Sequence, residues 1–169
     1  MQKKIFFLLI LSLPMIFSGC GSVQYSLTGG GPLDAKTVTI NYFPNKAALG
    51  NPDLSQVFTE ALKDKFLKES KLELVDQNGD WTFTGYISSY TTAPVAISSD
   101  NKAQSTRLTI VINVKFEDKI NPKKNFNQPF TNYADYDNSK NLSDVAGTLI
   151  ADISTKIVQD IFSKTALDW

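Results

Sequence analysis

Two stretches alternate apolar and polar side chains with a period of two: Trp81 to Tyr90 (WTFTGYISSY) and Arg107 to Asp118 (RLTIVINVKFED). Successive side chains of a strand point to opposite faces, so each stretch is committed to a sheet with one packed face and one open face. The first puts Trp81, Phe83, Gly85 and Ile87 inward, with Thr82, Thr84, Tyr86 and Ser88 outward. The second gathers Leu108, Ile110, Ile112, Val114 and Phe116 opposite Thr109, Val111, Asn113 and Lys115. Such a sheet needs an apolar cover, and two segments supply one at helical spacing. Leu54, Val57, Phe58, Ala61, Leu62 and Phe66 form one stripe, with Glu60, Lys63, Asp64 and Lys68 on the outer face. Leu142, Val145, Leu149, Ile153, Ile157 and Ile161 form the other, widened by Ile150, Val158 and Phe162, with a cap at Ser139, Asn141 or Ser143.

Shorter signals complete the order. TVTINYF (Thr37 to Phe43) reads as a half-buried strand closed by Pro44, and Asn51-Pro52 opens the first helix. Leu72 to Val75 reads as a short strand ended by the turn cluster DQNGD. Thr91 to Thr106 is a polar segment, long for a hairpin loop. INPKKN (Ile120 to Asn125) is a turn, after which Phe126 to Tyr136 returns as a strand whose Pro129 argues for an edge. The sequence predicts an α+β two-layer sandwich in the order β-α-β-β-β-β-α, with a mostly antiparallel four- to five-stranded sheet and both helices on one face.

Composition narrows the chemistry. Histidine is absent and cysteine occurs once, which excludes Ser-His-Asp and Cys-His catalysis, imidazole and thiolate zinc sites, and an internal disulfide. Seventeen basic residues balance seventeen acidic ones, and Arg107 is the lone arginine. A nucleic-acid binder normally carries a basic excess or stripe, so that class is set aside. No cofactor or metal site is expected. Asp135 and Asp137 in YADYDNSKN lack the Gly and Glu that an oxygen-ligand calcium loop needs at its sixth and twelfth places, which hold Lys140 and Ala146. They read as charges leading into a helix N-terminus.

The sole cysteine closes the apolar run Ile5 to Phe17, which follows a positive Met1 to Lys4 segment and is short of the roughly 20 apolar residues a membrane span requires. Ser18 and Gly19 precede Cys20 as in a lipoprotein signal, with Phe17 where leucine is more usual. Cys20 is therefore expected to carry the covalent lipid (diacylglyceryl and an N-acyl chain) as the first residue of the mature chain, holding it to a membrane without spanning it. Residues 1–19 read as the signal, 20–36 as the acylated N-terminus and linker, and 37–169 as one periplasmic domain. Gly21 to Gln24 carries no acidic retention mark, which favours the outer membrane with the domain facing the periplasm.

Further candidates lie on the open face and the loops. Arg107 suits bidentate phosphate or carboxylate binding, or a pair with Asp80 or Asp100. Lys102 and Lys115 are lipid- or anion-contact candidates by location and charge, and Lys119, Lys123 and Lys124 read either as an anion contact or as solvated charge. Tyr86, Tyr90, Tyr133 and Tyr136 are assigned to outward faces or loops as interface candidates.

Taken together, the lipobox, YSLTG, VTINYFPNKA, LSQVFTEALKDKFL, LELVDQNGDWTFTGYISSY, RLTIVINVKFED and FTNYADYD resemble the LptE-like family of lipopolysaccharide-assembly lipoproteins across essentially the whole mature chain. The resemblance implies a small α/β domain anchored at the outer membrane as plug and assembly partner of a large β-barrel translocon of the LptD kind, with room for direct contact with lipopolysaccharide. It implies no catalytic residue. An adapter of another envelope lipid transporter, and more distantly an envelope hydrolase, are the competing readings.

Overall fold

The alternating runs become the two central strands of a five-stranded sheet with the order β2-β1-β3-β4-β5. The computed structural model describes residues 34–95 and 105–167; the signal segment, Cys20, Lys102 and most of the loop between the long strands lie outside them. The elements are β1 (Thr37–Ile40), α1 (Leu54–Glu69), β2 (Glu73–Leu74), β3 (Trp81–Val95), β4 (Ser105–Asp118), β5 (Phe126–Asp137) and α2 (Leu142–Phe162), extended by a π turn over Ser163–Leu167. β3, β4 and β5 form an antiparallel meander, while β1 runs parallel to both β2 and β3. The sheet is thus mixed and mostly antiparallel, as parallel pairing at β1 requires a crossover, which α1 supplies.

Three departures from the sequence reading have local causes. β1 ends at Ile40, because the chain beyond it keeps only scattered bonds to β3: Asn41 N donates to the Phe83 carbonyl (3.0 Å), Ile87 N to Pro44 (3.0 Å) and Lys46 N to Ile87 (2.9 Å). Much of the expected loop Thr91 to Thr106 is strand, since Thr91 to Val95 pairs with Thr109 to Ser105. This stretch shows no hydrophobic alternation because Thr91 to Pro94 are exposed on both faces. Finally, the register shifts between Ile87, opposite Ile112, and Ser89, opposite Val111. The extra residue inverts the parity of the strand and turns Tyr90, expected outward, into the core at 8% exposure.

The core lies between the sheet and the paired helices and is rich in aromatic rings. Phe66 of α1 stands 4.9 Å from Phe83 of the sheet and 5.2 Å from Phe162 of α2, centroid to centroid. The contact chain continues from Phe83 to Phe116 (4.9 Å) and from Phe116 to Phe126 (5.3 Å). Gly85 leaves room for Phe43 to lie against this face: a Cβ there would fall 2.1 Å from the Asn113 carbonyl oxygen and 2.5 Å from the Phe43 ring. One of those atoms is backbone and cannot swing away. Gly85→Ala is accordingly expected to destabilise the fold by about 2–3 kcal/mol, the upper range for overpacking, read as a lower urea midpoint. An unchanged midpoint would contradict this packing.

Asp80 closes the end of the sheet at which β1 and β3 begin. Its carboxylate accepts the backbone N–H groups of Lys36 (2.8 Å) and Thr37 (3.0 Å), and its own N–H donates to the Thr37 hydroxyl (2.9 Å). The two backbone donors hold its pKa below the ordinary aspartate range, opposed by partial desolvation. Asp135, bonded to Arg107, and Asp137, bonded to Ser139, are lowered in the same sense. A carboxylate with a depressed folded pKa adds stability above its unfolded pKa and loses it as pH falls through the folded one. Stability should therefore be level from neutral pH to about pH 4.5 and decline below about pH 4, and Asp80→Asn should flatten part of that decline. Acid unfolding curves of the two proteins that superimpose would contradict the role of Asp80.

Candidate functional site

Since both helices cover one face, the opposite face of β3, β4 and β5 stays open and carries the polar half of each alternation. Its residues include Thr84, Tyr86 and Thr91 of β3, Arg107, Thr109 and Lys115 of β4, and Tyr133 and Asp135 of β5. Tyr86 is 38% exposed and Tyr133 is 46% exposed. The Lys46 ammonium stands 4.6 Å from the Tyr86 ring centroid.

Arg107 is the most constrained group on this face. Asp135 lies directly across from it on β5, and the pair is bidentate: Nε to Oδ1 at 2.7 Å and Nη2 to Oδ2 at 2.9 Å. The guanidinium carbon also sits 3.7 Å from the Tyr133 ring centroid. The Asp135 hydrogen bond raises the Arg107 pKa and lowers that of Asp135. Of the partners open to Arg107 in the sequence, the structure selects a cross-strand carboxylate that the sequence reading had assigned to the helix entrance. An anion reaching Arg107 must share it with Asp135. The resulting Arg-Asp-Tyr platform is rigid, polar-aromatic and preorganised for contact.

The remaining candidates divide by position. Lys115 is on the open face and pairs with Glu117 at 2.9 Å. Tyr136 turns inward and packs against the core, sharing the parity of Phe126, Phe130 and Ala134, a pattern visible in the sequence. Tyr90 is buried beside it, and desolvation, with Tyr136 adding, pushes its phenol pKa up. Tyr90 and Tyr136 therefore do not share a surface with Tyr86 and Tyr133. Asp137 accepts the Ser139 N–H at 2.7 Å and leads into α2, whose N-cap is Asn141. Among the described residues no group of acidic or cysteine side chains is placed to hold a metal ion.

β5 is one of the two edge strands, the other being β2, and its free side is interrupted. Pro129 has no N–H to offer, the Tyr133 N–H donates to Asn132 Oδ1 (3.0 Å), and the Tyr133 carbonyl accepts from Lys156 Nζ of α2 (3.3 Å). These devices discourage addition of a further strand. The open face is thus the better surface for a partner than the β5 edge. Among the described residues no helix is long and apolar enough to cross a membrane.

The family model LptE, described as lipopolysaccharide-assembly, matches residues 35–165. No curated protein matches the chain by sequence. By structure the chain is similar to a hypothetical protein from Chlamydia trachomatis, at 10% identity and a TM-score of 0.53, covering 78% of this chain and 98% of that one. It is also similar to the rare lipoprotein B from Shewanella oneidensis, at 9% identity and a TM-score of 0.49, covering 76% and 95%. At 10% identity the first likeness is one of fold alone.

Proposed function

This chain belongs to the LptE lipopolysaccharide-assembly family, and from that premise we propose that it acts as a lipid-anchored plug and assembly partner of a large outer-membrane β-barrel translocon. The observation that carries the reading is the span of the family match, Ala35 to Thr165, which takes in every strand and both helices. In this account Cys20 bears the covalent lipid, the domain faces the periplasm from the outer membrane, and the barrel meets the open sheet face. Tyr86, Tyr133 and the Arg107-Asp135 pair give that face the aromatic and arginine content typical of contact surfaces. Lys115, and Lys102 beyond the described residues, remain proposed contacts for lipopolysaccharide phosphates.

The proposed role is binding rather than catalysis. The closest polar constellation, Arg107 with Asp135, is an ion pair on an open surface in which two parallel hydrogen bonds already satisfy both groups. Depletion of the protein in its own cells is expected to lower lipopolysaccharide at the cell surface several-fold and to admit large hydrophobic antibiotics. Surface lipopolysaccharide at the undepleted level, with the protein gone by immunoblot, would overturn the proposal.

A further inference from the structure

The β4–β5 turn KINPKKN (Lys119 to Asn125) carries three lysines and no acid, and it is held rigidly. Asp118 Oδ1 accepts the N–H groups of Ile120 and Asn121, both at 2.8 Å, and Asn125 Oδ1 accepts the Asp118 N–H at 2.7 Å. On this fixed turn Ile120 stays 48% exposed. The turn also lies where the chain enters the sheet: Lys119 N donates to the Asp80 carbonyl at 3.0 Å, and the Asp80 carboxylate receives the N–H groups of Lys36 and Thr37. Lys164 of the C-terminal turn comes to the same end, its ammonium 5.4 Å from the Phe126 ring centroid. Of the acids beside the turn, Asp118 and Asp80 act as backbone caps and Glu117 pairs with Lys115, while the Lys119 ammonium donates to the Asn78 carbonyl at 3.1 Å.

We propose that the Lys119–Asn125 turn is a membrane-contact tip, which sets Ile120 into the headgroup boundary of an anionic phospholipid surface while Lys119, Lys123 and Lys124 face the lipid phosphates. An exposed apolar side chain flanked by lysines is the arrangement that binds an anionic bilayer interface. Thirteen residues lie between Cys20 and Asp34, a reach of at most about 50 Å when fully extended, which keeps the entrance end of the sheet within that distance of the anchored residue. The far end of β3 lies about 46 Å from its start, and it carries Asp137 and the Arg107-Asp135 pair, with no described cluster of lysines like that of the turn. The tip deepens the anchored reading, on which it rests, by naming the end of the domain that meets the bilayer.

Cys20 is the sole cysteine, so once acylated it leaves an introduced thiol as the unique labelling site. Asn121→Cys, labelled with an environment-sensitive fluorophore, is placed with the acylated protein in phosphatidylethanolamine–phosphatidylglycerol vesicles of about three to one. Its emission is expected to shift to the blue, and each lysine replaced by glutamine should weaken the contact about fivefold. The triple variant, or salt at about 0.5 M, should restore the aqueous spectrum. A label at Ala93→Cys should stay aqueous throughout. Vesicle-bound protein whose Asn121 label remains aqueous, or shifts only when lipopolysaccharide is added, overturns the tip. Protein left wholly in the supernatant overturns the anchor and with it the tip.

Discussion

Phe66→Ala is expected to lower the unfolding free energy by about 3–5 kcal/mol, the range for deleting a fully buried phenylalanine. Phe66 is the ring at which three elements meet: it touches Phe83 on the sheet, Phe162 on α2 and Trp81 at the start of β3, the last at 6.3 Å. It is 0% exposed. Deleting it removes apolar burial and edge-on ring contacts together, and the surrounding rings are held by their own partners, so the cavity cannot collapse fully. The neighbouring Leu67 is 52% exposed, and Leu67→Ala should change stability by no more than about 0.5 kcal/mol. Urea unfolding of the two variants decides the point. Equal costs would mean that α1 is not seated as described.

Cys20→Ser is expected to abolish the proposed acylation and leave a full-length precursor in place of the processed, lipid-bearing protein. The reason is chemical: a serine hydroxyl does not form the thioether that the processing step requires before cleavage. Several acyl chains on one residue would give far more hydrophobic burial than any surface patch on the domain, at about 0.8 kcal/mol per buried CH₂. The variant should therefore lose essentially all outer-membrane-bound mature protein. Mass spectrometry of the N-terminus and fractionation on a sucrose gradient measure both parts. Normal processing of the serine variant would refute the lipid anchor.

The layer architecture was legible in the sequence because burial there is one-sided. Val114 and Phe116 alternate with Asn113 and Lys115, and the structure buries the first pair and leaves the others at the surface. The stripes from Leu54 to Phe66 and from Leu142 to Phe162 likewise became α1 and α2. Alternation says nothing where both faces meet water, which is why the strand continuing through Thr91 to Val95 passed as loop. Nor can it register a bulge, and the extra residue near Ser88 alone decides that Tyr90 is core. Tyr136 is different, since its parity with Phe126 and Phe130 was available.

The site was less legible than the fold. Arg107 stood out as the lone guanidinium, but its partner depends on the β4–β5 register, which sets Arg107 opposite Asp135 rather than near Asp80. That register follows from a turn whose length is fixed by the Asp118 and Asn125 side chains, not from any pattern of hydrophobicity. The same turn gathers lysines that read as ordinary solvated charge until the chain entrance at Lys36 is seen beside them.

The central claim is that this domain partners a barrel in the outer membrane, and affinity purification of the acylated protein from detergent-solubilised membranes tests it most directly. The account predicts that one large outer-membrane β-barrel protein co-purifies in a fixed ratio, and that replacing both Tyr86 and Tyr133 with alanine lowers its recovery. Recovery of an inner-membrane ATPase complex with no such barrel would contradict it.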